Sequence, residues 1–221
     1  MSTNPDEDRV YLEKPDTAFL SKAMITTWEA NKTFSSDWAG NHFFTWAELL
    51  HPLQQQPVRI LEIGSWEGRS ALFFLNYLPL SRIVCVDTFG GNIEHQLDPY
   101  FAKLALRAEA QFDANIAAYS DRVEKISASS ATVLPELGLS GRRFDLAYID
   151  ASHMAADVYR DAVLTWPMME PGGMVIFDDY EWDLMTNEGE RPKRGIDAFL
   201  AAFAGQFRDV YRAYQIVISK L

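Results

Sequence analysis

The sequence predicts an α/β fold of the Rossmann-like kind, a doubly wound, mostly parallel sheet of seven strands with an antiparallel edge strand. Residues 58–70 pass from an apolar, β-branched segment through an acid and two glycines into a helix-forming segment, as the opening βα unit of such a sheet does. Apolar and helical segments then alternate along the chain, which favours parallel strands with right-handed crossovers. Two adjacent strand-like segments close the chain and predict an antiparallel pair.

Most strands are predicted from short apolar runs, and the strand at 123–127 from a weaker one. After the first strand at 58–63, we expect strands at 83–87, 123–127, 144–150, 174–177, 207–212 and 215–218. We expect helices at 17–31, 43–50, 69–78, 99–119, 131–137, 153–166 and 195–204. Ser152 is the expected N-cap of the helix at 153–166, and Pro167 ends it. The polar residues 181–194 are expected to form a loop.

The region before the first strand is interpreted as a separate unit. Residues 1–50 are expected to form a helical cap or lid on the substrate side, and residues 51–221 the Rossmann-like domain. Asp16 or Thr17 is the expected cap of the first helix. The alternative is an ordinary packing layer against the sheet. Apolar and aromatic residues in this region could also bury against a second copy of the chain, as a homo-oligomer.

The composition limits the class of partner. A chain of 221 residues, 48% apolar and 23% charged, suits one α/β domain with an appendage. The formal net charge of −11 disfavours a nucleic-acid partner and leaves a small-molecule substrate as the expectation. No apolar stretch approaches the length of a membrane span, and the polar N-terminus does not resemble a signal peptide. The single cysteine, Cys85, suits a reducing, cytoplasmic environment.

The glycines after the first strand predict a cofactor site without a pyrophosphate. The spacing of Gly64 and Gly68 differs from the dinucleotide fingerprint, because Trp66 stands where its second glycine would be. No P-loop motif occurs in the chain. Asp87 ends the second strand 23 residues after Gly64, close to the roughly 20-residue offset of a ribose-binding acid. The alternative for Asp87 is a solvated acid at a strand end.

Four segments, in order and at matching spacing, carry a family resemblance. They are Leu-Glu-Ile-Gly-Ser-Trp-Glu-Gly-Arg-Ser at 61–70, Val-Asp-Thr-Phe at 86–89, Phe-Asp-Leu-Ala-Tyr-Ile-Asp-Ala-Ser-His at 144–153 and Pro-Gly-Gly-Met-Val-Ile-Phe-Asp-Asp-Tyr at 171–180. The chain thereby resembles class I S-adenosylmethionine-dependent methyltransferases, and among them the metal-dependent O-methyltransferases of the catechol and macrolide-sugar types. The resemblance covers residues 58–180 and is weak on either side.

The resemblance implies a residue set for the cofactor. It assigns the methionine end to Glu62, Gly64, Ser65 and Gly68, the ribose to Asp87, and the neighbourhood of the adenine to Ser129 and Ser130. The alternative for Ser129 is that it only caps the next helix.

Three acids at the ends of two strands predict a cation site. Asp150 ends the fourth strand and the Asp178-Asp179 pair ends the fifth, and a doubly wound sheet brings these ends to one rim. Converging carboxylates repel one another unless a cation or protons compensate, and such oxygen ligands suit Mg²⁺. The relatives place acids at the same positions, and Asp179 resembles the sugar type more than the catechol type, which has Asn there. The alternative is that Asp150 lines the pocket and the acid pair begins a solvated loop.

A histidine three residues after Asp150 is the expected catalytic base. The resemblance gives this offset to a lysine in the catechol type and to a histidine in the macrolide-sugar type, and His153 occupies it here. A histidine with a pKa of about 6.5 accepts protons at neutral pH, whereas a lysine at about 10.4 is mostly charged. If Ser152 caps the helix, His153 lies in its first turn, where the dipole disfavours the imidazolium. The alternative is a hydrogen-bonding role; His42, His51 and His95 have no comparable setting.

These assignments predict Mg²⁺-dependent methylation of a hydroxyl on a small molecule, such as a sugar or a catechol-like natural product. Asp150 and His153 are the expected catalytic residues, and Asp150, Asp178 and Asp179 the metal ligands. Three alternatives stay open: a metal-independent methyltransferase, a nicotinamide-dependent oxidoreductase and a non-catalytic protein that binds the cofactor.

Overall fold

Seven strands form one mixed sheet in the computed structural model, which describes residues 14–92 and 98–221. The strands are β1 (Arg59–Ile63), β2 (Arg82–Asp87), β3 (Val123–Ser127), β4 (Phe144–Ile149), β5 (Met169–Phe177), β6 (Phe207–Arg212) and β7 (Ile216–Lys220). Within the described ranges the α-helices are α1 (Lys22–Trp28), α2 (Phe43–Leu50), α3 (Arg69–Tyr77), α4 (Pro99–Ile116), α5 (Ser130–Leu139), α6 (Ala155–Thr165) and α7 (Pro192–Ala202). Strands and helices alternate from β1 to β6, so the predicted fold class is confirmed.

The strand order is β3-β2-β1-β4-β5-β7-β6. The first five strands run parallel, with Ile60 of β1 opposite Ile83 of β2 on one side and Leu146 of β4 on the other. β7 lies antiparallel to both β5 and β6, so the predicted antiparallel edge is present. The order reverses direction at β1, and this switch point is where such sheets bind ligands at the carboxyl ends of their strands.

Two apolar cores cover the two faces of the sheet. Successive strand residues alternate between them: Ile60 belongs to the first core and Leu61 to the second. Helices α2, α3 and α4 pack in the first core, and helices α5, α6 and α7 in the second. Burial on both faces explains why the strands are continuous apolar runs in the sequence.

The N-terminal region shares the first core with the sheet. Trp46 of α2 is fully buried, with its ring 5.0 Å from Phe74 and 5.1 Å from Tyr148. Tyr77 donates a hydrogen bond to the Ala47 carbonyl at 2.6 Å, which fixes α2 against α3. Over α2, therefore, the N-terminal region packs against the domain core, and its role as a cap on the substrate side stays a prediction.

Some element boundaries differ from the prediction for local reasons. The first helix begins at Lys22 with Ser21 as its cap, because the hydroxyl of Thr17 accepts from Leu20 N in a separate turn. The strand predicted at 174–177 begins at Met169 and continues through the expected glycine turn, and the last helix begins at Pro192. Within the described ranges no helix is long and apolar enough to span a membrane.

Candidate active site

The carboxyl ends of β1 and β4 are in direct backbone contact. Gly64 follows β1 with φ of +90°, and a Cβ atom built on it would lie 2.1 Å from the Asp150 carbonyl oxygen. No side chain fits there, so a glycine is required both for the backbone conformation and for the close approach. The predicted glycine loop and the predicted acidic rim are therefore neighbours, as the proposed site requires.

Glu62 is a buried acid at this strand end. Its side chain is fully buried, and its Oε1 accepts a hydrogen bond from the Ser70 hydroxyl at 2.6 Å. Its Oε2 is buried and receives no hydrogen bond from the described residues. Burial raises the pKa of Glu62 to about 7, although the nearby hydroxyls of Ser65 and Ser70 oppose the rise. A buried carboxylate oxygen without a donor fits a ligand that supplies one, such as an amino group.

Asp87 holds the glycine loop through its carboxylate. Oδ2 accepts from the backbone amides of Ser65 at 2.6 Å and Trp66 at 2.7 Å, and Oδ1 accepts from Phe89 N at 2.6 Å. Trp66 and Phe89 both have positive φ, at 45° and 54°. Asp87 thus faces the loop, as predicted, and its charge is already shared among three backbone donors.

Gly68 and the two serines complete the predicted cofactor set. Gly68 has φ of +80°, and a Cβ atom there would come within 2.9 Å of the Phe112 ring. Ser129 caps α5 by accepting from Ala131 N at 3.3 Å, as its alternative role predicts. The Ser130 hydroxyl donates to Asp161 at 2.9 Å, so it is bonded within the protein.

The acidic rim is a cluster of two carboxylates and a histidine, with a third carboxylate beside it. Ligand atoms of Asp150, His153 and Asp179 all lie within 4.8 Å of one another, and all three residues are partly exposed. His153 Nε2 lies 2.8 Å from Asp179 Oδ2, and the His153 ring packs at 4.4 Å on Trp182. The carboxylate oxygens are donors of the type that Mg²⁺ or Mn²⁺ prefers, so this set fits a divalent cation.

Asp178 faces inward from the same rim. Its Oδ2 accepts from Gln215 Nε2 at 2.8 Å and from the Tyr148 hydroxyl, and its Oδ1 accepts from Asp179 N at 2.8 Å. Tyr148 also lies 2.8 Å from Asp150 Oδ2, so one phenol bridges two acids. The structure therefore brings all three predicted acids to one rim. Asp178 is hydrogen-bonded to Gln215, whereas Asp179 pairs with His153.

The pKa values show the electrostatic cost of this convergence. Burial, together with the charges of Asp178 and Asp179, raises the pKa of Asp150 well above its usual range. Burial and the charge of Asp179 also raise the pKa of Asp178. Burial acts in the same direction on Asp179, but its hydrogen bonds to His153 and Tyr214 and the charge of His153 outweigh it and lower the pKa. A bound cation would offset the repulsion among these carboxylates.

The predicted setting of His153 was wrong in one respect. The helix begins at Ala155 after Met154, so His153 lies before its first turn, and the helix-dipole argument does not apply. The Ser152 hydroxyl instead accepts from Met154 N at 3.1 Å and donates to Asp157 at 2.9 Å. His153 belongs to the loop that follows β4, and this loop carries it at the rim.

Side chains from both ends of the chain reach this rim. His42 Nε2 lies 3.9 Å from Asp178 Oδ1, and the His42 ring stacks at 5.7 Å on Tyr214. Tyr214 donates to Asp179 Oδ1 at 2.8 Å.

The sequence alone assigned no firm role to His42 and did not predict a role for Tyr148, Tyr214 or Gln215. No local motif marks them. His51 packs on Phe19 at 4.5 Å, and His95 lies outside the described residues.

A cavity of about 500 Å³ lies at the opposite, amino-terminal edge of the parallel strands. Its lining includes Arg59, Arg82 and Arg122, and none of the rim acids. Asp121 and Glu124 line it too. Because Gly64 and the rim acids meet at the carboxyl edge, we assign the chemistry to that edge.

Comparison with known proteins covers the residues of both the glycine loop and the acidic rim. A family model described as a methyltransferase domain matches residues 61–180, more than half of the chain, from the glycine loop to the acid pair. A search of curated proteins finds no match.

Solved structures share the fold at low sequence identity. TomG from Streptomyces achromogenes, an O-methyltransferase involved in tomaymycin synthesis and solved with SAM, has 17% identity and a TM-score of 0.63, with 99% of each chain covered. The Bacillus cereus O-methyltransferase with SAH has 18% identity and a TM-score of 0.60, covering 96% of this chain and 97% of that one.

A third structure is that of the MycE methyltransferase from the mycinamycin biosynthetic pathway, in complex with Mg, SAH and mycinamycin VI. It has 16% identity and a TM-score of 0.59, and the match covers 89% of this chain. The chain spans about half the length of MycE, 53%. At these identities the likeness establishes the fold.

Proposed function

Because the chain belongs to the methyltransferase domain family, we propose that it transfers a methyl group from S-adenosylmethionine to a hydroxyl oxygen of a small molecule, with a divalent cation at the acidic rim. The contact between Gly64 and Asp150 carries the proposal, since the loop proposed for the cofactor lies directly beside an acid proposed as a cation ligand. The complexes of TomG with SAM and of MycE with Mg, SAH and mycinamycin VI support it.

The glycine loop would bind S-adenosylmethionine, which supplies a methyl group on a positively charged sulfur. Glu62 Oε2, buried without a donor, would accept a hydrogen bond from the amino group of the methionine end. Asp87 would accept from the ribose hydroxyls and share its charge with the loop amides that it already binds. Gly64, Ser65 and Gly68 would line the methionine end of the cofactor, while Ser129 and Ser130 would lie near the adenine.

The acidic rim would hold the cation through Asp150, Asp178 and Asp179. A divalent cation held there would lower the pKa of a substrate hydroxyl and fix its orientation. The raised pKa values of Asp150 and Asp178 support this role. Burial is the main cause in both, and the charge of neighbouring acids, which a cation would offset, adds to it.

His153 would accept the proton of the substrate hydroxyl. Its Nε2 lies 2.8 Å from Asp179, whose negative charge stabilises the imidazolium that results. Asp150 would act with it by fixing the acceptor group. The rate would come mainly from positioning the hydroxyl and from stabilising charge, as in other group transfers between bound molecules.

The substrate is proposed to be a sugar or catechol-like molecule that offers two neighbouring oxygens. Aromatic rings next to the rim, Trp182 and Tyr214, could pack on a flat or ring-shaped acceptor. A metal-independent methyltransferase is the second candidate, because His153 already pairs with Asp179 and would, when protonated, neutralise part of the rim charge.

Two measurements test the proposal. Calorimetry with S-adenosylmethionine is expected to show saturable binding to the wild-type protein, and its absence would overturn the proposal. Methyl transfer to a panel of sugar and catechol acceptors is expected to stop in EDTA and to return when Mg²⁺ is added in excess. Full turnover in EDTA would remove the cation and favour the second candidate.

A further inference from the structure

A buried polar chain connects the acidic rim to the centre of the first core. Tyr148 belongs to β4 and is fully buried, and it lies two residues before Asp150, so both side chains leave the strand on the same face. Its hydroxyl is 2.8 Å from Asp150 Oδ2 and is also hydrogen-bonded to Asp178 Oδ2. Tyr148 therefore joins acids that end two different strands.

Gln215 extends this chain from the other side. It is 1% exposed and directly precedes β7, and its Nε2 donates to Asp178 Oδ2 at 2.8 Å. Its Oε1 accepts from the indole nitrogen of Trp46 at 2.7 Å, and Trp46 is fully buried in α2. The Trp46 contact fixes which end of the amide faces Asp178, because an indole nitrogen can only donate.

These buried hydrogen bonds are not required for the packing of an apolar core. Burying hydroxyl and amide groups is unfavourable unless each is hydrogen-bonded, and here residues 46, 148, 178 and 215 come from four separate segments of the chain to satisfy one another. Asp150 and Asp178 also lie close enough for one phenol to contact both, and like charges placed so close repel one another. Both considerations point to a role in holding the rim.

We propose that Tyr148 and Gln215 are positioning residues, which set the spacing and orientation of Asp150 and Asp178 so that the rim is preorganised for a divalent cation. This inference rests on the proposed function, in which those acids hold the cation. Outer hydrogen-bond partners of metal ligands act in this way, by fixing the ligands before the ion arrives.

The experiment measures Mn²⁺ binding without turnover. Mn²⁺ is titrated into wild-type protein and into the variants Tyr148→Phe and Gln215→Met, and free Mn²⁺ is followed by electron paramagnetic resonance. Each variant is expected to raise the dissociation constant for Mn²⁺ by about 10- to 100-fold, the usual effect of removing such a partner. S-adenosylmethionine affinity, measured by calorimetry, is expected to stay at the wild-type value, because neither side chain hydrogen-bonds to Glu62 or Asp87.

Tyr77→Phe is the matched control. Tyr77 is 1% exposed in the same core and donates its hydroxyl to the Ala47 carbonyl, so this variant loses a buried phenol hydrogen bond away from the acids. It is expected to bind Mn²⁺ as the wild type does.

The outcomes separate the two levels of the proposal. Unchanged Mn²⁺ affinity in both rim variants, or equal loss in Tyr77→Phe, would overturn the positioning role while leaving the cation site in place. Absence of Mn²⁺ binding to the wild type would overturn both the cation site and this inference, and the calorimetry would then decide whether the methyl-donor site stands.

Discussion

Replacing Glu62 with glutamine is expected to stabilise the ligand-free protein at alkaline pH while it removes cofactor binding. The pKa of Glu62 rises from 4.5 in the unfolded chain to about 7 in the folded one because the carboxylate is fully buried. Its contribution to stability is complete below pH 4.5, falls as the pH rises, and is lost above about 7. That difference in pKa corresponds to about 3 kcal/mol.

Glu62→Gln does not ionise, so it avoids this loss. At pH 8 we expect its free energy of unfolding in urea to exceed that of the wild type by up to about 3 kcal/mol, and the gain to disappear near pH 4.5. Calorimetry at pH 8 is expected to show weak or no binding of S-adenosylmethionine to this variant, since the neutral amide no longer attracts its amino group.

Glu48→Gln is the control, because Glu48 lies on the exposed side of α2. At both pH values, Glu48→Gln is expected to have the stability and the S-adenosylmethionine affinity of the wild type. If the stability of Glu62→Gln equals that of the wild type at both pH values, the claim that burial raises the pKa of Glu62 is refuted. Stabilisation with undiminished cofactor affinity would refute its role as the amino-group acceptor.

Three further predictions concern the loop and the rim. Gly64→Ala is expected to lower the free energy of unfolding by more than about 3 kcal/mol, because its Cβ would overlap the Asp150 carbonyl. Gly172→Ala, at φ +80° with nothing within 4 Å, should cost only the backbone strain of about 1–2 kcal/mol, and equal losses in urea titrations would contradict the clash. Asp179→Asn should weaken Mn²⁺ binding at least tenfold in paramagnetic titrations and leave S-adenosylmethionine affinity unchanged; a parallel loss of both would show general damage. His153→Gln should lower kcat by about 10²- to 10⁴-fold without changing cofactor affinity, and wild-type kcat would exclude it as the base.

The strands were predictable because their information is local. A parallel strand buried on both faces must be apolar throughout, and β2, β3 and β4 were expected within one residue of where they occur. Helix starts were less predictable. Thr17 and Ser152 both look like N-caps, but their hydroxyls are used in turns that precede the helices.

The site was predictable to the extent that strand ends mark it. Acids at the ends of apolar runs, such as Asp87 and Asp150, had to reach the same edge of a parallel sheet, and the structure places them there beside Gly64. Tyr148 and Gln215 were missed because each looks like an ordinary strand residue, and nothing in the neighbouring sequence shows which group their polar atoms will meet.

The amino-acid order alone determined the sheet, its glycine loop and the acids at its rim, since alternation, turn residues and strand ends depend on neighbours along the chain. The tertiary structure decided how those acids are held. Trp46 and Gln215 are 169 positions apart, yet they share a hydrogen bond that orients Asp178. A buried polar group must find a partner wherever the fold supplies one, and that choice depends on the packing of whole helices and strands rather than on any local pattern.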